Sequence, residues 1–376
     1  MINRQRMLTE FLDLVRIRCS SKAEREVGDF LKERLSRLGL HVFEDQTGSE
    51  IGGSCGNIIG YLAGTAEGKN VIMLSAHMDC VEPCAGVEPV VKDGIITSAG
   101  NTILGADDKA GVAAILEGVR VIIENKLPHN GIQVIFTVAE ESGLEGAKHI
   151  RRSDFKASMG YAFDSGGAPG QIITKAPGQN SIDVVIYGKT AHAGVAPEEG
   201  VNAIVVAGKA LSELRQGRID SETTANVGMI SGGQATNIVP DRVELKCEAR
   251  SRDAGKLAAQ TEHMKSTFEL TAAKHGGRAE VRVHHAYDPF SLDDESPVVK
   301  LAVKAAGNIG LNTVLQATGG GSDANFFNLY GVPTAVLGVG MSKVHTVEEF
   351  IKEEDLYRSA ELVVAIISAS AQDDER

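Results

Sequence analysis

The sequence lacks the features that mark membrane, secreted and nucleic-acid-binding proteins. No apolar segment reaches the ~20 uninterrupted residues that a bilayer-spanning helix needs. The first residues, MINRQRMLTEFLDLV, have the pattern of an amphipathic helix rather than that of a signal peptide. The 50 acidic and 38 basic side chains give a formal net charge of −12, so the chain has no basic stripe that would neutralise phosphates. We therefore expect neither a membrane nor a nucleic acid as a partner.

Cysteine is also sparse. The five cysteines are odd in number and lack the spacing of a disulfide framework, which is typical of a protein in a reducing compartment. Cys80 and Cys84 form a single C-x3-C without the second pair that a zinc knuckle requires. The sequence thus predicts a cytoplasmic protein without disulfides.

The composition is that of an ordinary globular chain with room for more than one domain. Its 376 residues, 43% of them hydrophobic, are enough to bury two domain cores. Over residues 1–178, short apolar runs typical of buried strands alternate with helical patterns, and the same texture returns over residues 292–376. This alternation predicts an α/β domain with a mainly parallel sheet.

Residues 179–291 interrupt that domain with a different pattern. Segments of alternating polarity and helical segments follow one another in the order βαββαβ, which is the order of the ferredoxin-like fold. We interpret this segment as an inserted domain. An exposed edge strand of its sheet would support a homodimer.

Acidic and histidine side chains follow the predicted strands of the α/β domain. The apolar run VIMLS leads to His77 and Asp79, and the strand QVIFTVAE ends in Glu140 and Glu141. In open α/β sheets, ligands bind in the crevice beyond the carboxyl ends of the strands. The other members of this set are Asp107 and Asp108 before a helix, Asp164 at a strand end, and His345 near the end of the chain.

Each of these side chains taken alone has an ordinary structural explanation. A strand-end aspartate is commonly a turn residue or a helix cap, and Asp107 and Asp108 would favour the positive end of the following helix. Glu140 and Glu141 would simply start the next helix, and a lone His345 is more often a satisfied surface or core group. Together, however, several carboxylates in one crevice would repel one another unless a cation lay among them. A divalent metal cluster resolves that repulsion.

Five motifs resemble those of a known family. SAHMDCV, GADDKAG, TVAEESG, FDSGG and KVHT are similar, in order and spacing, to the motifs of the dinuclear zinc exopeptidases and deacylases, which include peptidase T, glutamate carboxypeptidase and aminoacylase. The resemblance covers essentially the whole chain, and LGADDKAG is closest to the peptidase T branch. It implies a zinc-binding α/β catalytic domain, residues 1–178 and 292–376, and a βαββαβ lid or dimerisation domain, residues 179–291.

The resemblance also implies the metal ligands. One ion would be held by His77, Asp107 and Asp164, and the other by Asp107, Glu141 and His345, with the Asp107 carboxylate as the bridge. Imidazole and carboxylate ligands without thiolates suit two Zn²⁺ per subunit, and Co²⁺ or Mn²⁺ are alternatives.

Two further carboxylates would have catalytic roles. Asp79 would accept a hydrogen bond from the second ring nitrogen of His77 and so fix the tautomer of that imidazole. Glu140 occupies the family's position for the general base, which takes a proton from water and passes it to the leaving amine. The resemblance further implies a cis peptide bond between Asp107 and Asp108.

The inserted domain and the turn TGGGSDANFF carry candidates for substrate binding. In this family the histidine of GKTAHAG, here His192, often donates to the reacting carbonyl, although a simple turn histidine is the alternative. Asn237 and Arg250 would bind a peptide end, and a surface ion pair explains Arg250 equally well. Gly320 and Asn325 lie in the turn that resembles the family's substrate-facing loop.

The sequence therefore predicts a metal-dependent hydrolase of peptide bonds, a peptidase T-like aminopeptidase that acts on short peptides through a water activated by two zinc ions. An N-acyl amino acid deacylase and a carboxypeptidase are alternatives, because the same metal core serves all three reactions. A homologue that binds metal without catalysis is a third alternative. The presence of Glu140 and of the complete ligand set argues against it.

Overall fold

A computed structural model describes residues 1–66, 68 and 70–373 and divides the chain into two compact units. The larger unit comprises Met1–Thr174, Leu292–Ala317 and Ser322–Arg376, and the smaller unit comprises Lys175–Ser291 and Thr318–Gly321. The first border thus falls after Thr174 rather than after residue 178. The short segment Thr318–Gly321, which the sequence analysis placed in the α/β domain, groups with the smaller unit.

The larger unit contains helices and strands in alternation, numbered here along the whole chain. Its helices are α1 Arg4–Arg16, α2 Arg25–Arg37, α3 Thr47–Ile51, α4 Ala106–Glu124, α5 Glu145–His149, α8 Pro297–Asn308, α9 Ala324–Leu329 and α10 Glu353–Asp373. Its strands are β1 His41–Glu44, β2 Ile58–Ala63, β3 Ile72–His77, β4 Glu88–Lys92, β5 Ile95–Ala99, β6 Gly131–Thr137, β7 Met159–Ser165, β8 Gln171–Ala176, β15 Val314–Ala317, β16 Thr334–Gly338 and β17 Phe350–Lys352. The last two residues of β8 lie beyond Thr174 and are counted with the smaller unit. A short 3₁₀ helix spans Arg152–Asp154.

The central sheet of the larger unit has the strand order β1-β2-β6-β3-β7-β16-β8, and β15 also pairs with β8. The inner strands β6, β3, β7 and β16 run parallel, whereas β2 and β8 flank them in the antiparallel sense. Every position of β3 and β6 is buried, as expected for parallel strands that are covered on both faces. The prediction of a mainly parallel sheet is confirmed.

Helix α4 is buried along most of its length, and most of its side chains are small or apolar. All positions from Ala106 to Val119 are buried. Gly118 lets α4 approach α10 closely, since a Cβ atom there would lie 2.3 Å from Cγ1 of Val363. Helix α1 is amphipathic instead, and Met7, Phe11 and Leu14 form its buried stripe.

A small antiparallel sheet of β17, β5 and β4 lies in the larger unit and was not anticipated from the sequence. It positions part of the site, because β17 follows directly after the loop that carries His345. Two main-chain hydrogen bonds between Ser342 and Phe350, of 2.9 and 3.0 Å, close the base of that loop.

The smaller unit has the predicted βαββαβ order with short additions. Its elements are β9 Gly178–Tyr187, α6 Ala203–Glu213, β10 Gly217–Arg218, β11 Thr223–Gly232, β12 Arg242–Ser251, α7 Ala254–Lys274, β13 Arg278–Tyr287, β14 Phe290–Ser291 and a 3₁₀ helix Pro197–Glu199. The sheet order is β10-β11-β12-β9-β13, with antiparallel neighbours throughout. Burial alternates along β9, because its apolar side chains join a core formed with α6 and α7.

Two expectations about the whole chain concern membranes and cysteines. Among the residues that the structure describes, no helix combines the length and the apolar character that a bilayer crossing requires. All five cysteines are free thiols in buried positions.

Candidate active site

The carboxylate of Asp107 lies between two histidines that approach it from different parts of the chain. Its Oδ1 atom is 3.1 Å from Nε2 of His77, and its Oδ2 atom is 3.4 Å from Nε2 of His345. Asp107 is almost completely buried, whereas the side chain of His345 is half-exposed. Each oxygen of one carboxylate therefore faces a different imidazole, which is the arrangement expected of a bridging ligand.

Parallel strands bring the other carboxylates to the same edge of the sheet. His77 is the last residue of β3 and pairs in register with Thr137, the last residue of β6. Glu140 and Glu141 follow β6 within a few residues, and Asp164 lies near the end of β7. Because β3 pairs with both β6 and β7, their carboxyl ends meet beside His77, as the sequence predicted.

The segments that carry Asp107 and His345 have unusual backbone conformations. Asp107 and Asp108 lie at the start of α4, yet their ψ angles of 104° and 36° are not those of a helix. The bond between them is cis, which confirms the expectation. His345 has φ 62°, in the left-handed region that non-glycine residues rarely adopt.

Three groups of side chains at this edge have potential ligand atoms within 4.8 Å of one another. The first two groups coincide with the ligand sets that the family resemblance implied. They are His77, Asp107 and Asp164, and Asp107, Glu141 and His345. The third group joins His77 with Glu140 and Glu141, so distance alone does not separate the two glutamates. Glu141 also contacts the second histidine, with 2.8 Å between its Oε1 and Nε2 of His345.

The carboxylates of this edge are strongly perturbed. Burial raises the pKa of Asp164 well above its ordinary value, and repulsion from Asp107 and Asp323 adds to this effect. Burial likewise raises the pKa of Glu140, together with the neighbouring charges of Asp164 and Asp323. In contrast, the pKa of Asp107 is lowered although burial opposes this, because His345 and His77 both bond to it.

The two histidines compensate part of this negative charge. Hydrogen bonds with Asp107 and Glu141 raise the pKa of His345 to about 10. Burial would lower the pKa of His77, but its bonds to Asp107 and Asp79 raise it well above 6.5. More carboxylates than imidazoles share this space, so protons or cations must balance the remaining charge. The donor set of oxygens and imidazole nitrogens, without thiolates, fits two divalent cations.

Asp79 anchors the two glutamates through their main chain. Its Oδ1 accepts from the N–H of Glu140 at 2.9 Å, and its Oδ2 accepts from the N–H of Glu141 at 3.2 Å and from the hydroxyl of Ser21 at 2.5 Å. The expected contact with His77 differs in detail. Nδ1 of His77 lies 3.0 Å from the main-chain oxygen of Asp79 and 3.5 Å from its Oδ1, so the main-chain oxygen is the nearer acceptor.

Sequence reasoning missed two buried glutamates that hold site segments. Oε1 of Glu24 accepts from the N–H of Ala139 at 3.0 Å, next to Glu140, and Ala139 has φ 51°. Glu349 accepts from three N–H groups at the start of α4. Neither residue lies in a spacing pattern that would reveal it, because the amino-acid sequence does not show which main-chain N–H groups a side chain binds.

The predicted substrate-binding residues of the inserted domain lie in the smaller unit. His192 is exposed, and its Nδ1 accepts from the N–H of Gly194 at 3.2 Å. Asn237 is also exposed, and its main-chain oxygen accepts from the N–H of Ala193 at 3.0 Å. Arg250 forms two 3.0 Å hydrogen bonds with the carboxylate of Glu248, so the ion pair weighed as its alternative is present.

The glycine-rich turn is divided between the two units. Gly320 belongs to the smaller unit and is half-buried. Asn325 belongs to the larger unit and is buried, and its Oδ1 accepts from the N–H of Ser322 at 3.0 Å. That oxygen of Asn325 therefore stabilises the turn itself. The neighbouring Asp323, which was not singled out from the sequence, accepts from the hydroxyl of Thr137 at 2.5 Å.

The α/β unit, the βαββαβ unit and the paired ligand groups around Asp107 together have the architecture of a two-domain metallopeptidase. The sequence model that describes Peptidase family M20/M25/M40 matches residues 73–369 of this chain. The chain therefore belongs to this family, and it is a peptide hydrolase.

Solved structures of two bacterial peptidases are similar over nearly the whole chain. Aminopeptidase PepT from Bacillus cereus ATCC 10987 is 48% identical, with a TM-score of 0.92 over 98% of this chain and 99% of its own. A tripeptidase from Staphylococcus aureus subsp. aureus Mu50 is 44% identical, with a TM-score of 0.96 over 99% of this chain and 100% of its own. Peptidase T from Clostridium botulinum (strain Loch Maree / Type A3) is 30% identical over 302 residues, which are 79% of this chain and 72% of that protein. These relatives confirm the resemblance to the peptidase T branch.

Proposed function

We propose that the protein is a peptidase T-like aminopeptidase that releases the N-terminal residue of short peptides, with two Zn²⁺ ions as its cofactor. The observation that carries this proposal is the Asp107 carboxylate, whose two oxygens face His77 and His345 separately. Co²⁺ and Mn²⁺ accept the same ligands. The similarity to an aminopeptidase and a tripeptidase over nearly the whole chain supports the choice of substrate.

In this proposal Glu140 is the general base. Two bound divalent cations would polarise the scissile carbonyl and make water a stronger acid. Glu140 takes a proton from the attacking water and gives it to the leaving amine, so the peptide bond breaks without a covalent intermediate. Glu140 lies in one group with His77 and Glu141, with potential ligand atoms within 4.8 Å of one another, so its carboxylate is beside the proposed metal site, where the attacking water would be bound.

The residues around Glu140 keep it in place for this transfer. The N–H groups of Ala139, Glu140 and Glu141 are held in succession by the carboxylates of Glu24 and Asp79. Because all three hydrogen bonds are to buried carboxylates, the segment has little freedom to rotate. Such fixed geometry is what proton transfer over a hydrogen-bond distance requires.

Substrate contacts are assigned to the residues named from the sequence. We propose that His192 donates a hydrogen bond to the reacting carbonyl, and that Asn237, Arg250 and Gly320 contact the peptide. Asn325 contributes by shaping its turn, as its bond to the N–H of Ser322 supports.

The proposal includes a cytoplasmic location and a homodimer. Five free, buried thiols support a cytoplasmic location, where thiols remain reduced. Strand β13 lies at one edge of the sheet in the smaller unit. We propose that an edge strand of this sheet supports a homodimer by pairing with a second copy of the chain.

Three forms of one tripeptide test the proposal. The purified, zinc-loaded protein would be incubated with the free tripeptide, its N-acetylated form and its C-terminal amide, and products would be identified by mass spectrometry. We expect cleavage of the free peptide and of the amide at the first peptide bond, and no cleavage of the acetylated form. Glu140→Gln, prepared identically, controls for contaminating peptidases.

The alternatives give different products. Release of acetate would identify a deacylase. Cleavage of the free and acetylated peptides without cleavage of the amide would identify a carboxypeptidase. No cleavage of any form by a protein that holds two zinc ions would contradict the peptidase assignment.

A further inference from the structure

Glu349 is a buried carboxylate that binds the start of helix α4. Its Oε2 accepts from the N–H groups of Leu104 and Gly105 at 2.8 and 2.7 Å, and its Oε1 accepts from the N–H of Asp107 at 3.0 Å. Only 1% of its surface is exposed. The N-cap residue Gly105 has no side chain to cap α4, so Glu349 supplies the acceptors from a distant part of the chain.

The same glutamate belongs to the loop that carries His345. Its N–H donates to the main-chain oxygen of Thr346 at 3.1 Å, which closes the turn directly after His345. The next residue, Phe350, pairs with Ser342 on the other side of the loop. One side chain therefore joins the Asp107 segment to the His345 loop, and these segments supply two of the three residues in one candidate metal group.

We propose that Glu349 is a positioning residue that sets the distance between Asp107 and His345 and thereby the affinity of the metal site formed by Asp107, Glu141 and His345. This inference rests on the proposed dinuclear centre. The site of His77, Asp107 and Asp164 depends on Glu349 less, because β3 and β7 place His77 and Asp164 independently of the His345 loop.

The arrangement requires two oxygen acceptors. In Glu349→Gln one oxygen is replaced by an NH₂ group, which would face an N–H donor instead of accepting from it. Either the pair Leu104 and Gly105 or Asp107 then loses its acceptor. Outer residues that hold metal ligands typically change metal affinity by about 10–100-fold when they are replaced, and we expect an effect of that size here.

Zinc titration of the metal-free protein tests this inference without relying on catalysis. Wild type, Glu349→Gln, Glu349→Ala and the reference variant His345→Ala would be titrated with ZnCl₂ by calorimetry. The binding step that His345→Ala removes identifies the site in question. We expect Glu349→Gln to weaken that step by about 10–100-fold and the other step by less than about threefold.

The adjacent Glu348→Gln is the matched control. Glu348 is exposed and pairs with Lys343, so its neutralisation changes the charge by the same amount without touching α4. We expect it to bind zinc as the wild type does. Circular dichroism and the Tm of the metal-free variants show whether each one is folded.

The outcomes separate this inference from the proposed function. If the wild type binds two zinc ions and cleaves tripeptides while Glu349→Gln binds zinc unchanged, the positioning role is refuted and the function stands. A wild type that takes up no zinc refutes the dinuclear centre, and the inference with it. If both Glu349 variants fail to fold, Glu349 serves the fold rather than the site, which also overturns the inference.

Discussion

The Nε2 atom of His345 lies 2.8 Å from the Oε1 atom of Glu141, although 204 positions separate the two residues in the sequence. The main chains of both Glu140 and Glu141 are held by the carboxylate of Asp79. The contact to His345 supports the ligand role proposed for Glu141, and proton transfer is the role proposed for Glu140.

Replacing each glutamate by glutamine would separate these two roles. Glu141→Gln should weaken one metal site, and added zinc should partly restore activity because an amide is a poorer ligand. Glu140→Gln should keep both metals and lose on the order of 10²–10⁴ in kcat with little change in KM, since an amide takes no proton. Metal analysis and kinetics of both variants provide the measurement. A zinc loss confined to Glu140→Gln would mean that the roles are exchanged.

Replacing His192 by alanine should affect catalysis alone. Because we assign it to the reacting carbonyl and not to a metal, His192→Ala should lower kcat by about 10²–10³, as for one oxyanion donor, at unchanged zinc content. His275→Ala, a change of the same kind elsewhere in the smaller unit, serves as the control and should behave as wild type. Loss of a zinc ion from His192→Ala would make His192 a ligand instead.

The hydrogen bonds of Asp79 predict the effect of an isosteric change. In Asp79→Asn, an NH₂ group would face the N–H of Glu140 or that of Glu141, so one of the two contacts becomes repulsive. We expect kcat/KM to fall by about 10–100-fold, whereas Ser21→Ala, which removes one donor to the same carboxylate, should change it less. Steady-state kinetics at saturating zinc compare the two variants. Equal losses in both would assign the effect to Ser21 rather than to the main-chain contacts.

Glu24 predicts a dependence of stability on pH. Burial raises its pKa from 4.5 to about 7, so the folded protein binds this proton more tightly than the unfolded chain does. The stabilisation is complete below pH 4.5 and is lost as the pH rises through about 7. Glu24→Gln removes the titration. The unfolding free energy of Glu24→Gln minus that of wild type should therefore increase by up to about 3 kcal/mol between pH 4.5 and pH 8, because only the wild type loses this stabilisation.

Urea unfolding of both proteins at a series of pH values, at equal metal loading, measures this difference. The glutamine variant keeps an oxygen for the N–H groups of Lys22 and Ala139, which Glu24 now binds at 2.7 and 3.0 Å. A difference between the two proteins that does not vary with pH would show that Glu24 ionises normally.

Removal of metal should lower the thermal stability. Without cations, the crowded carboxylates of Asp164 and Glu140 must take up protons or repel one another, as their raised pKa values indicate. A chelator should therefore lower Tm, and zinc added back should raise it progressively with concentration, as expected for a ligand of the folded state. Scanning calorimetry measures both. An identical Tm with and without chelator would argue against a metal that contributes to folding.

The sequence predicted those parts of the site that depend on local pattern. His77, Glu141 and Asp164 follow or end apolar strands, and parallel strands necessarily bring such ends together. The βαββαβ order was equally visible, because alternation and helical periodicity differ in sequence.

Contacts between side chains and remote main-chain groups were not predictable in this way. Glu24 and Glu349 bind N–H groups 115 and 242 to 245 positions away, and every non-proline residue offers the same N–H donor. The acceptor atom of Asp79 nearest to His77 was missed for the same reason. The sheet of β17, β5 and β4 was not predicted because its strands are short and most of their positions are exposed or only partly buried.

The position of β16 has a consequence for how the protein is made. Strand β16 lies between β7 and β8, yet it is synthesised only after the whole smaller unit. A ribosome-bound or truncated chain that stops before Thr334 therefore lacks the strand that joins β7 to β8, and the edges of β7 and β8 that face β16 are unpaired. His345 comes later still. The candidate metal group of Asp107, Glu141 and His345 therefore stays incomplete until the segment after β16 has been synthesised.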